Sequence, residues 1–306
     1  MRNILFCGTP KFAKDVLELL SKRYNIVGVL TQQDKGVGRK RVLTPPPVKE
    51  YALSLGIKTF QPANLKSPNL EIVMESLSHL EIDIVVVVAY GQILPKSFID
   101  TFTCINLHGS LLPSYRGASP MQQMILSDDK EYGLSVIRMD YGLDSGDILG
   151  TWSVQRSEVK DFNLEMLFNL FAKEGSKLLS EVIDNIDFIT PIKQDETKAT
   201  YCKKIAKSDG LVDFEDASNI YKRYLAFFIW PGVFLESNLK LHDVSLKELD
   251  SINEAGVILE MLGTSIVVGC KKGSLIIGSL TPDSKSKMLA SSYLQSKKLK
   301  VGDKLV

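Results

Sequence analysis

Asn106 and His108 stand two residues apart on one extended run, so an amide and an imidazole share a face while Leu107 points to the other side. The amide donates hydrogen bonds without titrating, and the imidazole can hold or pass a proton near neutral pH. The run Asn106-Leu107-His108-Gly109-Ser110-Leu111-Leu112-Pro113 ends in a turn. That places the pair at the C-terminal edge of a strand, where open α/β sheets bind their ligands. His79 and His242, the other two histidines, lie in mixed surroundings typical of surface positions. A polar loop, Gly142-Leu143-Asp144-Ser145-Gly146-Asp147, offers Asp144 to meet His108 and Asp147 to fix the loop. Taken alone, the same loop also reads as an ordinary Asx-rich turn.

The elements that must hold these residues form two patterns. Through the first half, short β-branched runs alternate with amphipathic segments: strands at 3–7, 25–31, 58–60 and 104–107, helices near 10–21, 48–55, 70–77 and 120–126. Ile84-Val85-Val86-Val87-Val88 has no polar alternation, as expected of a strand buried on both faces of a parallel sheet. A late strand pair at 134–139 and 148–154 and a long amphipathic helix over 163–182 complete a Rossmann-like, doubly wound α/β domain spanning 1–189. The polar stretch 190–207 reads as a linker. Short strand-like runs bounded by glycines in 208–306 suggest a smaller β-barrel or sandwich.

Several chemistries are excluded. Gly8-Thr9-Pro10 lacks the glycines of a dinucleotide turn and is a tight strand-to-helix connection, and Gly36-Val37-Gly38-Arg39-Lys40 lacks Walker spacing. Cys7, Cys104, Cys202 and Cys270 are too scattered for a disulfide framework or a zinc site, so no metal is expected. The apolar run 82–89 is too short to span a bilayer and contains Asp83. With no signal-peptide profile, the expectation is a cytoplasmic protein without membrane association. The 37 Lys+Arg against 36 Asp+Glu leave a net charge of +1. Basic residues nevertheless cluster at Lys35, Arg39, Lys40, Arg41 and Lys49, and again at Lys285, Lys287, Lys297, Lys298, Lys300 and Lys304, so either patch can hold a polyanion or be solvated surface.

The Asn106–Pro113 run, followed by Tyr115-Arg116-Gly117-Ala118 and Pro120, resembles the methionyl-tRNA formyltransferases among the 10-formyltetrahydrofolate-dependent formyltransferases. So do the Asp144 loop, Val87-Val88-Ala89-Tyr90-Gly91-Gln92-Ile93-Leu94-Pro95, the segment from Thr31-Gln32-Gln33-Asp34 to Pro47-Val48-Lys49, Trp230-Pro231-Gly232 and the terminal Gly302-Asp303-Lys304-Leu305. The resemblance covers essentially the whole chain. Ser119 stands where many members carry Ala, and residues 35–43 differ in detail from the commoner loop sequences.

The resemblance implies transfer of a formyl group from 10-formyltetrahydrofolate, a co-substrate, to the α-amine of methionyl initiator tRNA. Asn106 would donate to the oxyanion, His108 would act as proton donor or shuttle, and Asp144 would orient the imidazole and raise its pKa. Ser110, Leu111, Leu112 and Pro113, with Val88, Ala89, Tyr90 and Gly91, would contact the folate. Arg39, Lys40 and Arg41, in a flexible loop that orders on binding, would contact the acceptor stem, and the C-terminal domain would be an OB-like barrel that binds tRNA. No protein partner is indicated and a monomer is expected. The alternatives are a formyltransferase with another amine acceptor, such as a glycinamide ribonucleotide or an amino sugar, and a catalytically inactive RNA-binding homologue.

Overall fold

The computed structural model describes residues 1–38, 40–127 and 129–305. Arg39, one of the three expected acceptor-stem contacts, therefore lies outside the described residues. The chain divides into two units. Met1–Pro120, Lys130–Glu158 and Leu167–Lys203 form the first, and Met121–Asp129, Val159–Met166 and Lys204–Val306 the second.

The first unit is built on a seven-stranded sheet of order β7-β6-β5-β4-β1-β2-β3. Its strands are β1 (Asn3–Gly8), β2 (Asn25–Leu30), β3 (Thr59–Phe60), β4 (Ile84–Val88), β5 (Cys104–His108), β6 (Glu131–Arg138) and β7 (Ile148–Gln155). The pairings from β3 through β5 are parallel, and those of β5 with β6 and β6 with β7 are antiparallel. Strand order reverses between β1 and β4, which opens the ligand-binding edge of such sheets at their C-terminal ends.

Both faces of the central strands are covered. Leu5, Cys7, Val85 and Val87 pack with Val73, Leu77 and Phe98 of the helices Asn69–Leu77 and Lys96–Thr101. Their alternates Ile4, Phe6, Ile84 and Val86 are equally buried on the other side. On that side lies the helix Lys11–Leu20, and a Cβ on Gly8 would come within 2.8 Å of the Ala13 Cβ and 2.9 Å of the Val88 carbonyl oxygen. Close backbone approach, not phosphate binding, accounts for that glycine. The helix Leu164–Asn185 approaches β5 so closely that a Cβ on Gly175 would sit 2.7 Å from Leu107. Leu107 is thus locked in the core, which turns its neighbours Asn106 and His108 the other way.

The stretch read as a linker begins within the first unit. Ile192 pairs with Ile148, Gln194 is buried, and Tyr201–Cys202 forms a parallel pair with Arg116–Gly117.

The second unit contains an antiparallel sheet of β8 (Val233–Phe234), β9 (Lys240–Glu248), β10 (Ile258–Leu262), β11 (Ser265–Gly269), β12 (Ser274–Thr281) and β13 (Met288–Leu289). The path is β8-β9-β12-β11-β10, with β13 paired to β12. Leu241, Val244, Ile266, Val268, Leu275 and Ile277 form its core with Ile220 of the helix Ala217–Ala226 and Leu294 of the helix Ala290–Lys297. Among the described residues, no helix is long and apolar enough to cross a membrane.

Candidate active site

Strand β5 ends at His108, and its neighbour β4 places Val87 beside Asn106. Beyond β4 the chain turns through Ala89 (φ 46°) and Gly91 (φ 79°), both exposed, so main-chain groups line the edge next to Asn106. The side chains of Val88 and Tyr90 are instead buried in the core. The Tyr90 carbonyl accepts hydrogen bonds from Thr9 Oγ1 (2.7 Å) and Gln32 Nε2 (3.2 Å). Of the four residues expected to wall a pterin, Ala89 and Gly91 are the ones presented at the surface.

The turn after β5 is held from within. Ser110 is fully buried; its Oγ donates to the Ser114 carbonyl (2.5 Å), and its own carbonyl accepts from Ser135 Oγ (2.8 Å). The Leu112 N–H donates to Ser135 Oγ (3.0 Å). Ser110 therefore braces the turn, while Leu111 and Pro113 are partly exposed and Leu112 is buried.

The loop 142–147 brings its carboxylate to this edge. Asp144 Oδ1 accepts from Asn106 Nδ2 at 3.4 Å, and Oδ2 accepts from the Gly117 N–H at 2.8 Å and lies 3.6 Å from His108 Nδ1. His108 is 5% exposed. Its Nε2 lies 3.0 Å from the Tyr115 carbonyl oxygen, which only accepts, so Nε2 carries the hydrogen and Nδ1 is left facing the carboxylate. At 3.6 Å that contact is too long for a hydrogen bond, but close enough for the charge on one group to govern the other.

Burial pulls the His108 imidazole below its usual pKa, against the opposing pull of Asp144 and the Tyr115 carbonyl. The raised value expected from sequence is thus corrected: the strand buries the ring, and desolvation of the cation outweighs the neighbouring carboxylate. Both ring nitrogens thus face protein groups, Nε2 the Tyr115 carbonyl and Nδ1 the Asp144 carboxylate.

Sequence reasoning missed the residues that fix the Asp144 loop. Asp147 contributes its main-chain carbonyl, which accepts from the Arg138 N–H (2.9 Å). The side chain that reaches the loop is Gln194, whose Nε2 donates to the carbonyls of Asp144 (2.8 Å) and Gly146 (2.7 Å). Gln194 Oε1 in turn accepts from Arg116 Nε (3.1 Å) and Nη2 (2.8 Å). Glu196 pairs with the same guanidinium at 2.7 and 2.8 Å, holding it firmly protonated. A lone glutamine in a polar, turn-rich stretch carries no periodicity or spacing signal that would have marked it.

The basic segment forms a hairpin, Lys35–Val37 paired with Val42–Thr44, where a flexible loop was expected. Gly38, at φ 72°, accepts at its carbonyl from the Arg41 N–H (3.1 Å), which closes the turn between the two strands. Lys40 and Arg41 are exposed at its tip, with Arg41 at φ 48°. Lys49 is held by both oxygens of Asp34 at 2.8 Å, and Lys35 donates to Gln32 Oε1 at 2.6 Å. Near the C-terminus, Lys287 pairs with Asp243 and Lys304 with Glu254, while Lys285, Lys297, Lys298 and Lys300 are exposed. No group of three or more His, Cys, Asp or Glu among the described residues is arranged to hold a metal ion.

Known proteins match this chain over nearly its whole length. The family model "Formyl transferase" matches residues 1–183, and "Formyl transferase, C-terminal domain" matches residues 204–298. The chain is 47% identical over 304 residues to a methionyl-tRNA formyltransferase of a Nitratiruptor species, covering 98% of each chain. It is 47% identical over 305 residues to that of a Helicobacter pylori strain, again covering 98% of each. Among solved structures, the sugar 3N-formyl transferase WlaRD, determined in the presence of dTDP and 5-N-formyl-THF, shares the fold with a TM-score of 0.66 and 20% identity, over 94% of this chain and 99% of that one. The chain belongs to the formyl transferase family.

Proposed function

We infer that this chain transfers the formyl group of 10-formyltetrahydrofolate to the α-amine of methionyl initiator tRNA, giving N-formylmethionyl-tRNA for translation initiation. The observation that carries this reading is its near-full-length similarity to methionyl-tRNA formyltransferases, with Asn106, Asp144 and His108 meeting at one sheet edge. The edge fits a folate: exposed main chain at Ala89 and Gly91 beside half-buried Asn106 gives polar groups to a flat heterocycle, and Leu111 and Pro113 add apolar surface. When bound, 10-formyltetrahydrofolate supplies the formyl group as a co-substrate.

The protein's own groups then divide the work. The 3.4 Å contact of Asn106 with Asp144 is weak, which leaves the amide N–H able to donate to the formyl oxygen as negative charge develops there. Donors so placed contribute about 3 to 4 kcal/mol in other enzymes. Asp144 faces the attacking amine and takes its proton. His108, neutral near pH 7 because it is buried, takes that proton at Nδ1 as the 3.6 Å contact tightens in the substrate complex, and so keeps the carboxylate available. The proton removed from the amine is the one the departing nitrogen requires, so the pair ends as it began.

We assign acceptor-stem binding to Arg39 and to Lys40 and Arg41, the latter two exposed at the hairpin tip, with the exposed C-terminal lysines following the phosphate backbone. We read residues 1–189 as catalytic, 190–207 as the connection and 208–306 as an OB-like barrel that binds tRNA. We further read the protein as a monomer acting in the cytoplasm, where its tRNA acceptor is used. Purified protein given 10-formyltetrahydrofolate and a panel of methionyl initiator tRNA, a glycinamide ribonucleotide and a dTDP-amino sugar should formylate the tRNA alone. Formylation of either small acceptor in preference to the tRNA would overturn the assignment.

A further inference from the structure

We propose that Gln194 is a positioning residue for formyl transfer: its amide oxygen is clamped by the buried Arg116 guanidinium, so that its amide nitrogen sets the Asp144 loop against Asn106 and His108. The proposal rests on the reading of Asp144 as a transfer-site residue.

Three features support it. First, the amide is saturated in one orientation. Both hydrogens of Nε2 go to carbonyls of the loop, at 2.8 and 2.7 Å, and Oε1 takes two guanidinium donors at 3.1 and 2.8 Å. A flipped amide would face donors with donors and carbonyls with a carbonyl, so this side chain has one state. Second, Asp144 sits in the left-handed region at φ 51°, which a residue with a Cβ keeps only when its surroundings hold it there. The Gln194 bond to its carbonyl is such a hold. Third, both ends of Asp144 are tied to one place in the fold. Its carbonyl is fixed through Gln194 to Arg116, and its carboxylate accepts from the N–H of the adjacent Gly117.

Arg116 is suited to anchor the arrangement because it cannot move. It is 2% exposed, paired with Glu196 at 2.7 Å, and sits on a short strand hydrogen-bonded to Tyr201–Cys202. The Gly117 backbone comes close enough to that strand that a Cβ would lie 2.3 Å from the Cys202 carbonyl oxygen. The segment 194–202 thereby acts as a strap that holds the carboxylate in register with the amide on β5.

Two substitutions separate positioning from simple support of Arg116. Gln194→Glu keeps the length and the acceptor for the guanidinium, but presents an oxygen to the two loop carbonyls. Gln194→Met keeps the volume and removes both functions. If the nitrogen positions the loop, both variants lower kcat on the order of 10- to 100-fold, with KM for tRNA and folate within about twofold of the parent. Gln194→Glu is then no better than Gln194→Met. Parental kcat in a folded Gln194→Glu protein would overturn the proposal. Should that variant fail to fold, parental kcat in Gln194→Met would overturn it equally. Asp144→Ala in the same assay keeps the two readings apart: an active Asp144→Ala removes the underlying assignment, whereas an inactive Asp144→Ala beside a fully active Gln194→Glu removes only the role of Gln194.

Discussion

Gly146→Ala should disable the enzyme from a position that touches no substrate. A Cβ there would lie 1.8 Å from the Arg138 carbonyl oxygen, 2.9 Å from the Arg138 carbonyl carbon and 3.3 Å from the Asp140 nitrogen. All three are main-chain atoms, with no rotamer to yield, so the loop must retreat by about 1.2 Å to reach the shortest contact that real side chains tolerate. That retreat drags the Gly146 carbonyl off Gln194 and moves Asp144, two residues away, relative to Asn106 and His108. A displacement of this size at a reacting group costs on the order of 100-fold in rate, and the overpacking costs about 1 to 3 kcal/mol in stability. The assay is formylation at saturating folate with varied methionyl-tRNA, alongside urea unfolding. The expected result is a fall in kcat with KM nearly unchanged. Gly142→Ala is the matched control, because its Cβ would meet Ser145 Oγ at 2.0 Å, and that side chain can swing aside. A folded Gly146→Ala protein with kcat within about threefold of the parent would refute the claim that loop position sets the rate.

Because burial lowers the His108 pKa below 6.5, kcat should hold near neutral pH and decline through a midpoint below that value; Asp144→Asn, which removes the opposing charge, should move the midpoint lower still, and an upward shift would contradict the geometry. Replacing Lys40 and Arg41 together with Ala should raise KM for the tRNA, leave folate KM unchanged and flatten the salt dependence by roughly 0.7 to 0.9 for each phosphate no longer neutralised; an unaltered slope would remove the hairpin from the interface. Burial pushes the Cys104 and Cys270 thiols up to about 12, and Cys7 is raised as well, so the native protein should resist iodoacetamide until unfolded. Rapid alkylation of these thiols in the native protein would show that the core opens.

The first unit was readable because its elements report themselves in composition. An all-apolar run such as 84–88 has one structural meaning in a domain of this kind, and the alternation at Asn106-Leu107-His108 follows from strand geometry. The second unit was less legible. Strand β9, Lys240–Glu248, is polar, and its alternation breaks at Asp243, which adopts φ 54°, so it gave no periodic signal. At the site, sequence singled out Asn106, His108 and Asp144, which the fold brings together, but not what holds them. Gln194 lies 50 residues from Asp144 in the chain, and its function depends wholly on the strap that tertiary packing lays across Arg116 and Gly117. The direction of the His108 pKa was likewise hidden, because sequence reveals the neighbouring carboxylate but not the depth of burial.

The most direct test of the proposed chemistry is a single-turnover measurement on Asn106→Ala and Asp144→Ala, with pre-bound 10-formyltetrahydrofolate and methionyl initiator tRNA, beside equilibrium binding of the tRNA. Formyl transfer should slow on the order of 100- to 1000-fold in Asn106→Ala, and at least comparably in Asp144→Ala, while tRNA affinity stays at the parental level. Parental transfer rates in either variant, or a defect confined to tRNA binding, would contradict it.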